Sequence, residues 1–130
     1  MEKSVDFNKC NALELAYMGD AVIELFARRH IIGEGGSKIS DLNVEAKKYV
    51  TAVSQSNAVE RVLPHLTEKE TQVYKYGRKA KGVHTPKSAS AIAYRRATGL
   101  ECLFGYLYLC GETQRAKDLF DLAYATEVDL

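Results

Sequence analysis

The chain has 130 residues, 46% of them hydrophobic, and a formal net charge of +1, which suits one globular catalytic or binding domain over residues 1–130 with its own core. No apolar run approaches the roughly 18 to 20 residues that span a bilayer, and "MEKSVDFNKC" lacks the apolar centre of a secretory signal, so a soluble cytoplasmic protein is expected. Cys10, Cys102 and Cys110 have no C-x-x-C spacing and are odd in number, which reads as reduced thiols, two of them in the core.

Asn11 with Glu14 three residues on forms a capping-box pattern that opens a helix over about 12–32. Leu15, Met18, Val22, Leu25, Phe26 and Ile32 recur at spacings of three and four along it, and Gly33, Gly35 and Gly36 end it. After a polar loop, Ser40 or Asp41 can cap a second helix to about 52, and Ser54 a third, "SQSNAVERVLPHL", that Pro64 closes. Thr67 and Glu70 make a second capping box, opening a helix through about 79.

"GRKAKGVHTPKSAS" then interrupts with glycines, a proline and small polar residues. This loop lies in the most informative charge feature of the chain. Between Glu70 and Glu101 there is no acidic residue, while Lys75, Arg78, Lys79, Lys81, Lys87, Arg95 and Arg96 fall there; the other 100 residues carry 11 basic and 17 acidic side chains. A single charge run is often only a solvated face. A thirty-residue absence of acids points instead to an anionic partner, of which a polyphosphate backbone is the commonest.

From about 88 to 110, "SASAIAYRRATGLECLFGYLYLC" is polar and basic in its first half and apolar on all sides in its second. Leu103, Tyr106, Leu107, Tyr108 and Leu109 read as core, with part of that surface available to a dimer interface. Gly111 ends the segment, and a last amphipathic helix carries Ala116, Leu119, Phe120 and Ala123 on one face. No stretch shows sustained period-two alternation, so the fold class is all-α.

Two carboxylates stand among apolar neighbours: Asp20 in "YMGDAVIEL" and Glu101 in "TGLECLFGYLYL". A buried ionised carboxylate needs a base, a proton, backbone donors or a metal ion beside it. If the two long helices pack side by side, both acids could converge on Mg²⁺ or Mn²⁺, although one or two satisfied internal acids are common in helical proteins. Glu24, one turn after Asp20, is either a supporting acid or the partner of Arg28 at i+4, the commoner arrangement. Gly19 in a helix interior suggests close approach by another element.

"LAYMGDAVIELFARR" resembles the signature helix of the ribonuclease III family, and "TGLECLFGYLYL" resembles its second acidic helix. The intervening "YGRKAKGVHTPKSASAIAYRRATGLE" is similar to the family's short branch, Mini-ribonuclease III, a stand-alone catalytic domain without the usual double-stranded-RNA-binding domain. The resemblance covers about residues 7 to 125. It implies an all-helical homodimer whose two subunits form a valley for double-stranded RNA. It also implies Mg²⁺-dependent cleavage leaving 5′-phosphates and 3′-hydroxyls, with Mn²⁺ as a possible substitute ion. The natural substrate it implies is precursor large-subunit (23S) ribosomal RNA, with room for a ribosomal protein on that RNA as a further partner.

Carried over residue by residue, the family's metal-binding acids fall on Asp20 and Glu101 as the catalytic pair. Two further family acids do not carry over: Ala16 stands one turn before Asp20, and Thr98 three residues before Glu101. The short branch shares both departures, and Thr98 is placed to hold a metal-bound water. The expected RNA contacts are Arg78, Lys79, Lys81 and Lys87 on the loop, with Arg95 and Arg96 two turns before Glu101. His84 reads as a loop residue and not as a general base, because metal-bound water needs no histidine. Tyr94 could stack or pack. The expectation is an endoribonuclease. A catalytically silent RNA-binding module on the same fold and a helical interaction protein with a basic face are the alternatives.

Overall fold

The computed structural model describes residues 9–35, 38–80 and 90–124. Six α-helices follow in order: α1 Ala12–Glu34, α2 Ile39–Val50, α3 Ala52–Val62, α4 Glu68–Arg78, α5 Ala91–Leu109 and α6 Thr113–Ala123, with a 3₁₀ turn, Leu63–His65, between α3 and α4. No strand occurs among the described residues, and none of their helices is long and apolar enough to cross a membrane.

Both expected capping boxes form. Asn11 Oδ1 accepts from the Glu14 N–H at 2.8 Å, and Glu14 Oε1 from the Asn11 N–H at 2.9 Å; Thr67 and Glu70 repeat the exchange at 3.1 and 2.9 Å. Other ends differ from expectation. Thr51, not Ser54, caps α3, its hydroxyl accepting from the Ser54 N–H, and Lys38 precedes α2 without a side-chain cap. Gly33 stays inside α1, and Gly35 at φ 74° ends it, a conformation that suits a residue without Cβ.

α5 is the central helix, flanked by α1, α3 and α4. Its contacts with α1 and α4 are so close that glycines are required on both sides. A Cβ on Gly19 would stand 2.5 Å from the Glu101 carbonyl carbon, and one on Gly105 2.9 Å from that of Leu15. On the opposite side, a Cβ on Gly77 would meet Cys102 Cβ at 2.5 Å, and one on Gly99 the Tyr74 ring at 2.7 Å. The α1 seam therefore runs on small residues, Ala12, Ala16, Gly19 and Ala27, with Leu15, Val22, Ile23 and Phe26 filling its edges. Leu25 and Ile32 fall outside that arc and are 59% and 67% exposed, contrary to the expectation from apolar spacing.

The core joins Ile23, Phe26, Val59, Val62, Leu100, Leu103, Phe104, Leu119 and Phe120. Only Cys102 of the three thiols is fully buried, and burial pushes it up to about 12, which makes it inert; Cys10 and Cys110 are half-buried. Glu70 does more than cap α4. It is buried and takes a bidentate pair from Arg115 of α6, at 2.9 Å from Nε and 2.8 Å from Nη2, which joins two helices 45 residues apart.

Candidate active site

At the α1/α5 crossing, Asp20 follows Gly19 directly, and Gly19 lies against the backbone of Glu101. The glycine contact thus brings the two acidic positions together from segments 81 residues apart. They share an open cleft of about 430 Å³. Leu13, Ala16, Tyr17 and Asp20 line it from α1, Val50 from α2, Ala52 and Gln55 from α3, and Tyr94, Ala97, Thr98 and Glu101 from α5.

The two carboxylates differ in setting. Asp20 is exposed to the cleft, so the expectation that both acids are enclosed by core residues is corrected: Ala16, Gly19, Val22 and Ile23 around it on α1 are buried, and the Asp20 side chain is not. Glu101 is half-buried. Burial pushes its carboxyl up to about 8, and the charge of Asp20 together with a side-chain hydrogen bond to Asp20 adds to the rise. Glu101 therefore holds its proton near neutral pH. A divalent cation would replace that proton.

Ala16 and Thr98 both line the cleft, so the two positions singled out in the sequence as lacking an acid are spatially part of this centre. Thr98 Oγ1 donates to the Tyr94 carbonyl at 3.0 Å, which leaves its lone pairs free to accept. No group of three or more His, Cys, Asp or Glu gathers among the described residues, so the centre is a two-acid one. Glu24 is not part of it: its Oε1 accepts from Arg28 Nη2 at 2.7 Å on the surface.

The basic residues spread around this centre unevenly. Arg95 is exposed beside the cleft wall, whereas Arg96 turns to α3 and pairs with Glu60 at 3.1 Å; neither lines the cleft. Arg78 lies over the Tyr74 ring at 5.5 Å, and Lys79, exposed, ends α4. Because Gly77 packs on Thr98, Gly99 and Cys102, α4 delivers Arg78 and Lys79 to the turn of α5 that precedes Glu101. Lys81, His84 and Lys87 lie outside the described residues.

Sequence reasoning passed over Gln55. It sits on the buried stripe of α3, three, four and seven residues before Ala58, Val59 and Val62, and borders the acidic cleft. The signal that could have found it was there: an amide on an otherwise apolar helical face.

Fold and site together define a helical domain that presents two carboxylates from crossing helices to an open cleft, an arrangement suited to a hard divalent cation and an anionic substrate. The ribonuclease III domain profile matches residues 13–112. Curated relatives named Mini-ribonuclease 3 include one from Desulfitobacterium hafniense, 46% identical over 115 residues that make up 88% of this chain and 73% of that one. Another, from Brevibacillus brevis, is 40% identical over 95% of this chain and 92% of its own. A crystal structure of protein FN1578 from Fusobacterium nucleatum superposes with a TM-score of 0.80 at 30% identity, covering 91% of this chain and 94% of that one. The chain belongs to the ribonuclease III family, within its Mini-ribonuclease 3 branch.

Proposed function

We propose that this protein is a Mg²⁺-dependent endoribonuclease that cuts double-stranded segments of precursor RNA, with the ends of large-subunit ribosomal RNA as its substrate. We further propose that it works in the cytoplasm as a homodimer built from this single catalytic domain. The observation that carries the reading is the shared cleft of Asp20 and Glu101 beside a segment free of acids.

The donor set fits the ion. Mg²⁺ keeps several waters and binds through one or two carboxylates plus substrate phosphate, and Asp20 and Glu101 supply those two carboxylates. Bound there, the ion would supply an activated water and charge neutralisation for phosphodiester hydrolysis. Glu101 would give up its proton to become a ligand, and Thr98 Oγ1 would accept from a cleft water. Ala16, with no side-chain oxygen, leaves space beside Asp20 for water or phosphate. Arg78, Lys79, Lys81, Lys87 and Arg95 would hold the duplex backbone, since A-form RNA offers phosphates and 2′-hydroxyls and not readable base edges. Arg96 would join them by exchanging its exposed pair with Glu60 for a phosphate, at little cost.

Incubating duplex RNA with and without Mg²⁺ tests this, comparing wild type with Asp20→Asn and Glu101→Gln. The expected result is Mg²⁺-dependent cutting by wild type and loss of cutting, with binding retained, in both variants. Wild type that binds duplex RNA but never cuts it would make the protein an RNA-binding module instead. Sedimentation showing only monomer at micromolar concentration would remove the homodimer.

A further inference from the structure

Three polar side chains are buried among the described residues: Gln55, Glu70 and Thr98. Glu70 is paired with Arg115 and Thr67, and Thr98 donates to the Tyr94 carbonyl. Gln55 is 1% exposed, and its Nε2 is the one buried side-chain nitrogen or oxygen among the described residues with no hydrogen-bond partner. An unmet buried donor is costly, and a leucine or methionine would fill the same place on the α3 stripe without that cost. Nothing in the packing of α3 asks for an amide there. Gln55 also borders the cleft that holds Asp20 and Glu101.

The chemistry of the donor limits what it can meet. Waters on a hard cation turn their hydrogens outward and are poor acceptors for an N–H, whereas a non-bridging phosphate oxygen presents several lone pairs and a negative charge. A buried amide N–H facing such an oxygen makes a charge-assisted hydrogen bond in a partly desolvated site, where it is strongest. We propose that Gln55 is a further substrate-contacting residue of this centre, its Nε2 donating to a non-bridging oxygen of the phosphodiester held in the Asp20–Glu101 cleft. The inference rests on the endoribonuclease reading. It adds an assignment on α3, a helix to which neither acidic motif belongs.

The test is single-turnover cleavage of a duplex RNA in Mg²⁺ by wild type, Gln55→Leu, Gln55→Met and Gln55→Glu. The substrates carry either all oxygen or one sulfur, in either configuration, at the scissile phosphate. The two apolar variants should fold, melt at or above the wild-type temperature, and cut the all-oxygen substrate roughly 10- to 100-fold more slowly, as expected for a lost hydrogen bond to a charged oxygen. One sulfur configuration should slow wild type by more than it slows Gln55→Leu, because the contact it weakens is already gone. Gln55→Glu keeps the shape but loses the donor and adds charge, so it should be slower than Gln55→Leu. Apolar variants that cut at the wild-type rate, equal sulfur penalties in wild type and Gln55→Leu at both positions, or a Gln55→Glu enzyme as fast as wild type would each overturn the assignment. Wild type that cuts nothing sinks the endoribonuclease reading and this inference together, whereas an active wild type with an indifferent Gln55→Leu sinks this inference alone.

Discussion

Gly19→Ala is the smallest change that should reach both the fold and the acidic centre. The added methyl would run into the Glu101 carbonyl oxygen and stand 2.5 Å from its carbonyl carbon and 2.9 Å from its Cα. Carbon atoms in contact normally lie about 3.5 to 4.0 Å apart, so α1 and α5 must part by at least about 1 Å at the level of Asp20 and Glu101. Neither side can yield locally, because the clashing atoms are backbone in the middle of two long helices. Overpacking of this kind costs up to about 3 kcal/mol, which for a chain of this size lowers the melting temperature by about 10 °C. A 1 Å misplacement of reacting groups also costs about 100-fold in rate, so duplex cleavage measured well below the melting point should fall by that order. Gly33→Ala is the control: it lies in the last turn of α1 with nothing within 4 Å of the added Cβ. There the same substitution should stabilise by about 0.5–1 kcal/mol and leave cleavage unchanged. A Gly19→Ala protein that melts within 2 °C of wild type, a shift of about 0.5 kcal/mol by the same scaling, and cleaves normally would refute the close crossing and the way it joins the two acids.

Glu101, raised to about 8 in the metal-free fold, binds a proton more tightly there than in the unfolded chain, so its ionisation should subtract stability progressively from about pH 4.5 to 8. Melting of metal-free Glu101→Gln should therefore match wild type in acid and exceed it at pH 8.5; a gap that does not widen with pH removes the claim. Glu70 is held below the ordinary carboxylate range, chiefly by its hydrogen bond to Arg115, so its pairing stabilises above that range and is lost as pH falls through the lowered value. Arg115→Met, which leaves Glu70 buried and uncompensated, should cost about 3 kcal/mol at pH 7 by urea unfolding and progressively less in acid. For RNA binding, Arg95→Ala should weaken affinity for unrelated duplexes alike and reduce the slope of log affinity against log salt by about one; an unchanged slope takes Arg95 off the RNA face.

What could be read ahead of the structure was local. The two capping boxes, the all-helical class and the end of α1 depend on residues within a turn of one another, and Gly19 announced a close approach because glycine has no other reason to sit in a helix interior. The pairing of Glu24 with Arg28 was legible for the same reason. What escaped depended on distant partners. Arg96 finds Glu60 across 36 residues and Arg115 finds Glu70 across 45, and no periodicity encodes either. The buried arc of α1 was misjudged because the large residues Leu25 and Ile32 weigh most in an apolar pattern, while the seam is built on alanine and glycine so that backbones can touch. Asp20 was expected to be enclosed for a related reason: apolar sequence neighbours on a helix point around the whole circle and say little about the one direction in which a cleft opens.

The same close crossing bears on how a cleft with two acids differs electrostatically from one with more. Glycine at residue 19 allows Asp20 and Glu101 to face one cleft at a separation short enough for a hydrogen bond, where burial first and the neighbouring Asp20 charge second keep Glu101 protonated near neutral pH. Further carboxylates at residues 16 and 98, which line the same cleft, would add repulsion that the metal-free fold must bear. With alanine and threonine there instead, the metal-free protein carries one half-buried acid that can stay neutral, Glu101, beside one exposed acid that needs no partner, Asp20. The cost is fewer fixed ligands, so more of a bound cation's coordination must come from water and substrate. That places the burden of orienting the phosphate on neutral groups around the cleft, and Gln55, whose amide is buried there without a partner, is the one best placed to take it.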